Sequence, residues 1–148
     1  MIPTNNLKDI LISAVLSTAL SSISEIRKDM HLPVTESSNR ERVVIVSNAT
    51  DNSAWQKAYC RICVYVPDLK VPDAANTKST HYEPDTMRLK ELEGYVVGSF
   101  SKAKYGRFNG HDYTYRIEDA SQDPDPATWS HFLNVRIKFT ILNLNKLQ

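Results

Sequence analysis

The chain has 148 residues, a formal net charge of +1, 41% hydrophobic residues and 24% charged residues. This length supports one domain whose hydrophobic core needs neither metal nor disulfide. The near-neutral charge excludes a strong overall attraction to nucleic acid or to an acidic partner. The two cysteines are too few for a disulfide scaffold, so we expect a reduced, intracellular protein.

The first predicted element is an amphipathic helix, with apolar residues at helical spacing: Leu7, Ile10, Leu11, Ala14 and Val15. Asn6 is its predicted cap. The helix either continues through residue 26 or ends at residues 21–24, before a short strand through Arg27. Alternatively, residues 10–20 are the apolar part of a signal peptide, although Asp9 and the polar residues within the stretch argue against secretion. No segment is long and apolar enough to span a bilayer, so we expect no membrane partner.

Two strands, a loop and a second helix follow. The β-branched residues 43–46 predict a buried strand. Alternation predicts a second strand with Ala58, Cys60, Ile62, Val64 and Val66 on one face and Tyr59, Arg61, Cys63 and Tyr65 on the other, joined to the first as a hairpin. Residues 67–84 lack periodicity and contain three prolines, which predicts a long loop. A helix then begins near Pro84 or Asp85, and Gly94 and Gly98 within it indicate a closely packed neighbour.

A final strand hairpin completes the chain. Tyr113, Tyr115 and Ile117 alternate with polar residues and predict a strand, and residues 119–126 are rich in turn formers. In the last strand the apolar residues occupy the odd positions: Leu133, Val135, Ile137, Phe139 and Ile141. We therefore predict one α+β domain over residues 1–148. Its mostly antiparallel sheet of about four to five strands packs with two helices, in the order helix, strands, helix, strand hairpin.

No pattern of residues predicts a catalytic, cofactor or metal site. Cys60 and Cys63 have a CxxC spacing, but in a strand their side chains face opposite ways and lie too far apart for a disulfide, so we expect both to be packing residues. His31, His81, His111 and His131 form no metal-binding motif. The acidic residues from 118 to 125 are more typical of a turn than of a calcium loop. We expect neither enzyme activity nor a cofactor.

The outer face of the predicted sheet is the candidate site. If the last two strands pair, Arg116, Arg136 and Lys138 share one face with Glu118, and Tyr59, Arg61 and Tyr65 extend this face across the sheet. Such a face is either simply solvated, as in many antiparallel sheets, or a contact surface, because tyrosine and arginine are favoured at interfaces. It lacks the glycine-aromatic signature of an RNA-binding sheet, so we expect no sequence-specific nucleic-acid binding.

The layout resembles the tail-completion proteins of long-tailed phages, also called tail terminators or head-to-tail joining proteins. The resemblance lies in the N-terminal helix, the hairpin over residues 43–66, the loop before a second helix and the final hairpin with its Asp-rich turn and Thr128-Trp129. It implies a virion structural protein that is assembled in the host cytoplasm. It also implies a homo-oligomeric ring, typically a hexamer, that joins the tail tube to neck or connector proteins and through which the genome could pass.

The resemblance carries over no catalytic residue. It implies contacts through the loop at about 67–84, the turn over residues 48–53 and the basic face. Ring closure would be a head-to-tail contact repeated by rotation. The alternative function is a small bacterial enzyme or ligand-binding domain of unknown substrate, with a site assembled from distant histidines and carboxylates.

Overall fold

A computed structural model of the chain describes residues 1–23, 25–29, 40–48, 50–72 and 80–143. Two α-helices, α1 (Thr4–Leu16) and α2 (Thr86–Phe100), and two short 3-10 helices, Ala19–Ser22 and Pro126–Thr128, lie within these ranges. The strands there are β1 (Glu25–Lys28), β2 (Arg42–Ser47), β3 (Trp55–Pro67), β4 (Leu69–Pro72), β5 (Thr80–Glu83), β6 (Lys104–Phe108), β7 (His111–Asp125) and β8 (Ser130–Leu142).

In the described part of the chain the main sheet is curled and has six strands in the order β1-β2-β3-β8-β7-β6. β1 pairs with β2 in parallel, and the other neighbours are antiparallel. β4 and β5 form a separate two-stranded hairpin. The prediction of a mostly antiparallel sheet of about four to five strands was therefore wrong: the sheet is mixed and larger, and 51% of the described residues are in strands.

The missed strands are short or polar, which explains the error. β1 was only one of two outcomes left open, and β6 consists of Lys-Tyr-Gly-Arg-Phe, a short segment with a glycine at its centre that no pattern marks as a strand. The predicted loop at about 67–84 contains β4 and β5 at its ends, while residues 73–79 lie outside the described ranges. The predicted turn at 119–126 is mostly strand, because β7 continues to Asp125 by pairing with β8.

Both α-helices pack on one face of the main sheet, which we call the inner face. Leu11 and Val15 of α1 lie in the same buried core as Leu92 and Val96 of α2. The odd positions of β8 complete this core, since Leu133, Val135, Ile137, Phe139 and Ile141 are all buried as predicted. Because α1 is part of the core, the structure contradicts its interpretation as a removable signal peptide.

The helix ends only partly match the prediction. Asp85 caps α2 by accepting a hydrogen bond from the backbone N–H of Arg88, as its position predicted. For α1 the cap is Pro3, not Asn6. The prediction of a close neighbour at Gly94 and Gly98 was wrong, because an added Cβ would meet no atom within 4 Å at either position. No helix within the described ranges is long and apolar enough to cross a membrane.

Candidate interaction surface

The outer face of the main sheet, opposite the helices, brings most of the predicted site residues together. Lys138 of β8 lies between Tyr59 of β3 and Arg116 of β7 in one cross-strand row. In the next row, Arg136 is the register partner of Arg61. Alternation along three strands therefore predicted this cluster correctly, because each strand turns every second side chain to the same face.

A β-bulge places two carboxylates beside Arg136. The register of β7 shifts between Ile117 and Asp119, so Glu118 and Asp119 both lie close to Arg136. The Arg136 Nε atom is 3.2 Å from a Glu118 carboxylate oxygen, and its Nη1 atom is 4.0 Å from Asp119. The guanidinium also stacks on the Tyr59 ring, with Cζ 4.2 Å from the ring centroid. Arg136 is thus held in place by its neighbours.

The other three cations of the face are differently placed. Arg61, Arg116 and Lys138 form no salt bridge with any carboxylate in the part of the chain that the structure describes. Arg116 is exposed, and Arg61 and Lys138 are half-buried. Cations without an internal carboxylate partner leave the surface with positive charge that an external partner can neutralise.

Tyr65 lies on the same face but does not contribute accessible surface. It is buried with Val44 and Cys63 in a small second cluster, and its ring stacks on Phe132 at a centroid distance of 4.7 Å. Burial raises the pKa of the Tyr65 hydroxyl to about 12. The structure thus separates Tyr65 from the basic residues with which the sequence grouped it.

A buried arginine, Arg42, lies beside Tyr65, and no pattern in the sequence predicted its burial. Its Nη2 atom donates to the hydroxyls of Thr128 at 2.8 Å and Ser130 at 3.2 Å, and its Cζ lies 4.6 Å from the Tyr65 ring centroid. Glu25 is its register partner on β1. Burial lowers the pKa of Arg42, while the charge of Glu25 opposes this shift. Arg42 therefore ties β1, β2 and β3 to the β7–β8 turn, which is a structural role.

The outer face ends in a groove that we call the aromatic groove. Its walls are Trp55 of β3 and Tyr105 of β6, and its cavity volume is about 390 Å³. Its floor is formed by Asp112, Thr114, Thr140 and Leu142. A second depression, lined by Arg116 and Lys138, shares Thr114 and Thr140 with the groove, so the basic cluster and the groove form one continuous surface. No pattern in the sequence predicts the groove, because its walls come from strands that are distant in the chain.

A second exposed aromatic site lies where β7 turns into β8. The rings of Tyr82 and Trp129 contact each other at a centroid distance of 4.4 Å, and we call these residues the aromatic pair. Nearby, the Asp68 backbone N–H donates to the Trp129 carbonyl, and the His131 Nδ1 atom lies 2.6 Å from an Asp68 carboxylate oxygen. These bonds attach the β4–β5 hairpin to the end of the main sheet.

The cysteines and histidines do not converge on one site. Cys60 and Cys63 are free and buried, and burial raises their thiol pKa values to about 12 and about 11. His81 contacts Glu83, His111 contacts the N-terminal amine and His131 contacts Asp68, while His31 lies outside the described residues. Within the described ranges no three His, Cys, Asp or Glu side chains form a group that could hold a metal ion.

Comparison of the chain with models of protein families and with curated proteins finds no match in either.

Proposed function

We propose that the protein is a structural component of a phage virion, a tail-completion protein that forms a ring between the tail tube and the neck or connector. The observation that carries this proposal is the outer face itself. It combines cations that lack a described carboxylate partner with exposed aromatic side chains, as protein–protein contact surfaces commonly do. The layout that the sequence shares with tail-completion proteins supports the same proposal.

The mechanism would be complementarity of shape and charge rather than chemistry. Arg61, Arg116 and Lys138 would meet a carboxylate-rich surface of a neighbouring subunit, beside Arg136 with its own carboxylate partners, and this would fix orientation and speed association. The β4–β5 hairpin and the turn over residues 48–53 would contact the tube or the connector. The protein would be made in the host cytoplasm and remain in the finished virion.

Co-expression with the tail-tube protein of the same phage tests this function. We expect electron microscopy to show rings of the purified protein and one ring at an end of each tube. Bare tube ends, with the protein in a separate fraction at every ratio, would reject the proposal. As a matched control, the tube protein expressed alone should give tubes without the terminal density.

A further inference from the structure

Two exposed aromatic sites lie at opposite ends of β8. Trp129 of the aromatic pair immediately precedes β8, and Leu142 in the floor of the aromatic groove ends it. Thirteen strand residues at a rise of about 3.3 Å separate these ends by roughly 40 Å along the strand. The two sites therefore cannot contact each other within one molecule, but the sites of two copies can.

Both sites expose large aromatic side chains, two in each site. Trp55 and Tyr105 are 57% and 79% exposed, and Tyr82 and Trp129 are 43% and 54% exposed. Tryptophan and tyrosine are the residues that most often dominate the binding energy of protein interfaces. Each site therefore has the composition that is common on one side of a protein–protein interface.

The two sites are compatible in size. Two strands, β8 and β7, separate Trp55 on β3 from Tyr105 on β6, so the groove walls are roughly 14 Å apart across the sheet. Between them the floor is low, because Thr114 and Thr140 are small. The aromatic pair, by contrast, stands at the turn as two rings in mutual contact. Two rings whose centroids are 4.4 Å apart fit between walls that are roughly 14 Å apart.

The charges of the outer face are also complementary from end to end. Near the groove the strands carry three cations that have no carboxylate partner within the described ranges: Lys57, Arg116 and Lys138. Asp112 in the groove floor is neutralised by its ion pair with Arg107. Near the aromatic pair, β7 carries the carboxylates of Asp123 and Asp125. Placing the acidic end of one copy on the basic end of another pairs opposite charges, whereas joining two like ends would juxtapose like charges.

We propose that the aromatic pair of one copy docks into the aromatic groove of a second copy, as a head-to-tail contact. This contact rests on the proposed function, because it names the surfaces through which the ring would close. A single-stranded nucleic acid would suit the aromatic and basic groove. It would leave the aromatic pair and the acidic end of the face without a role, whereas a second copy accounts for both ends together.

Two double variants test the contact. Tyr82→Ala with Trp129→Asn removes the pair; asparagine is chosen because it adopts the left-handed backbone that Trp129 occupies at φ 50°. Trp55→Thr with Tyr105→Thr removes the groove walls and keeps strand-forming residues. The control is Leu16→Ala with Met87→Ala, which removes apolar side chains that are 53% and 85% exposed on the helices.

Native mass spectrometry of the full chain, with one variant isotopically labelled, gives the readout. We expect the wild type and the control to form the same oligomers, and each double variant to self-associate roughly thirtyfold or more weakly. A one-to-one mixture of the two double variants should form a heterodimer and nothing larger. In such a heterodimer the intact aromatic pair of one variant docks into the intact groove of the other, and no further pair or groove remains.

Three outcomes would overturn the contact. They are a wild type that stays monomeric at every concentration, double variants that assemble like the wild type, and a mixture that contains only monomers.

Rings that persist in both double variants would reject this contact and leave the proposed function standing. A two-subunit assembly that depends on both sites would keep the contact and reject the ring. A monomeric wild type that binds a single-stranded oligonucleotide, with binding lost in the groove variant, would assign the groove to nucleic acid instead.

Discussion

The guanidinium of Arg136 lies over the ring of Tyr59, with its Cζ atom 4.2 Å from the ring centroid, while Glu118 and Asp119 approach it from β7. Arg136 thus interacts with three neighbours. Lys138, the next residue of β8 on the same face, has no carboxylate partner among the described residues. Of these two cations on one face of β8, Lys138 can therefore bind an external carboxylate without first breaking an internal ion pair, whereas Arg136 cannot.

Charge reversal of Arg136 and Lys138 to glutamate should leave the fold intact and impair assembly. Loss of the exposed ion pairs of Arg136 costs about 1 kcal/mol, loss of its stacking on Tyr59 costs about the same, and repulsion of the new glutamate by Glu118 and Asp119 adds about 1 kcal/mol more, a total below the stability of a typical domain. Lys90→Glu with Lys102→Glu is the matched control, since both lysines are exposed and the change in net charge is equal. Sedimentation velocity measures assembly; equal loss of assembly in both variants would indicate a net-charge effect rather than a local one.

Phe139→Ala should lower the free energy of unfolding by about 3 to 5 kcal/mol, because Phe139 is fully buried and stacks on Tyr115 at a centroid distance of 5.0 Å. Thr140→Ala, on the outer face, should change it by less than about 0.5 kcal/mol. Urea denaturation monitored by circular dichroism compares the two. If both variants lost equal stability, the assignment of inner and outer faces would be wrong.

Arg42→Ala should also destabilise the fold strongly, by about 3 to 5 kcal/mol, since Glu25 remains buried opposite the lost charge and the hydroxyls of Thr128 and Ser130 lose a donor. Arg42→Lys should recover only part of the loss, because a lysine cannot make the same forked contacts and stacking. Thermal melting of both variants beside the exposed control Arg40→Ala checks this. A melting temperature unchanged in Arg42→Ala would contradict the structural role.

Gly106→Ala tests a close approach between β6 and β7. A Cβ at residue 106 would overlap the Tyr113 hydroxyl, so the Tyr113 ring must move and we expect a cost of about 1 to 3 kcal/mol. In a Tyr113→Ala background the same change should be nearly neutral. A double-mutant cycle by chemical denaturation measures this coupling, and additive effects would show that the ring does not oppose the new methyl group.

Alkaline pH should destabilise the protein through three buried acids. Burial raises the pKa of Cys60 to about 12, of Cys63 to about 11 and of Tyr65 to about 12. Above about pH 9 the unfolded thiols lose their protons while the folded thiols retain them, so stability falls by up to about 1.4 kcal/mol per pH unit for each group until the folded pKa is passed.

Thermal melting between pH 8 and about pH 11 measures this loss. The double variant Cys60→Ala with Cys63→Ala should show a shallower fall over the same range, although its stability near neutral pH will be lower. An identical pH dependence in wild type and variant would show that the thiols do not contribute.

The sequence predicted the elements that carry long periodic patterns. α1, α2, β3 and β8 were recognisable because ten or more residues repeat at one spacing, and the basic cluster followed from alternation. The second half of β7 was not recognisable as a strand, because its Asp-Pro-Asp segment has strong local turn chemistry. Only its pairing with β8 makes it a strand. Tertiary pairing there overrides the local preference.

The remainder of the site depends on contacts between residues distant in sequence. Trp55 and Tyr105 become groove walls only through the order of the strands, which no local pattern specifies. Arg42 looked like an ordinary first residue of a strand, and its hydroxyl partner Thr128 lies 86 positions away. Such long-range neighbours require knowledge of the sheet order.

The outer face is cationic at one end of β8 and acidic at the other, and this separation of charge affects the solubility of the protein. With a net charge of only +1, the molecules repel each other weakly, while their cationic and acidic ends attract. At low ionic strength these attractions are unscreened, and at 0.15 M salt the Debye length shortens to about 8 Å. The protein should therefore salt in: its solubility should rise as sodium chloride is first added, and dialysis against water should precipitate it reversibly.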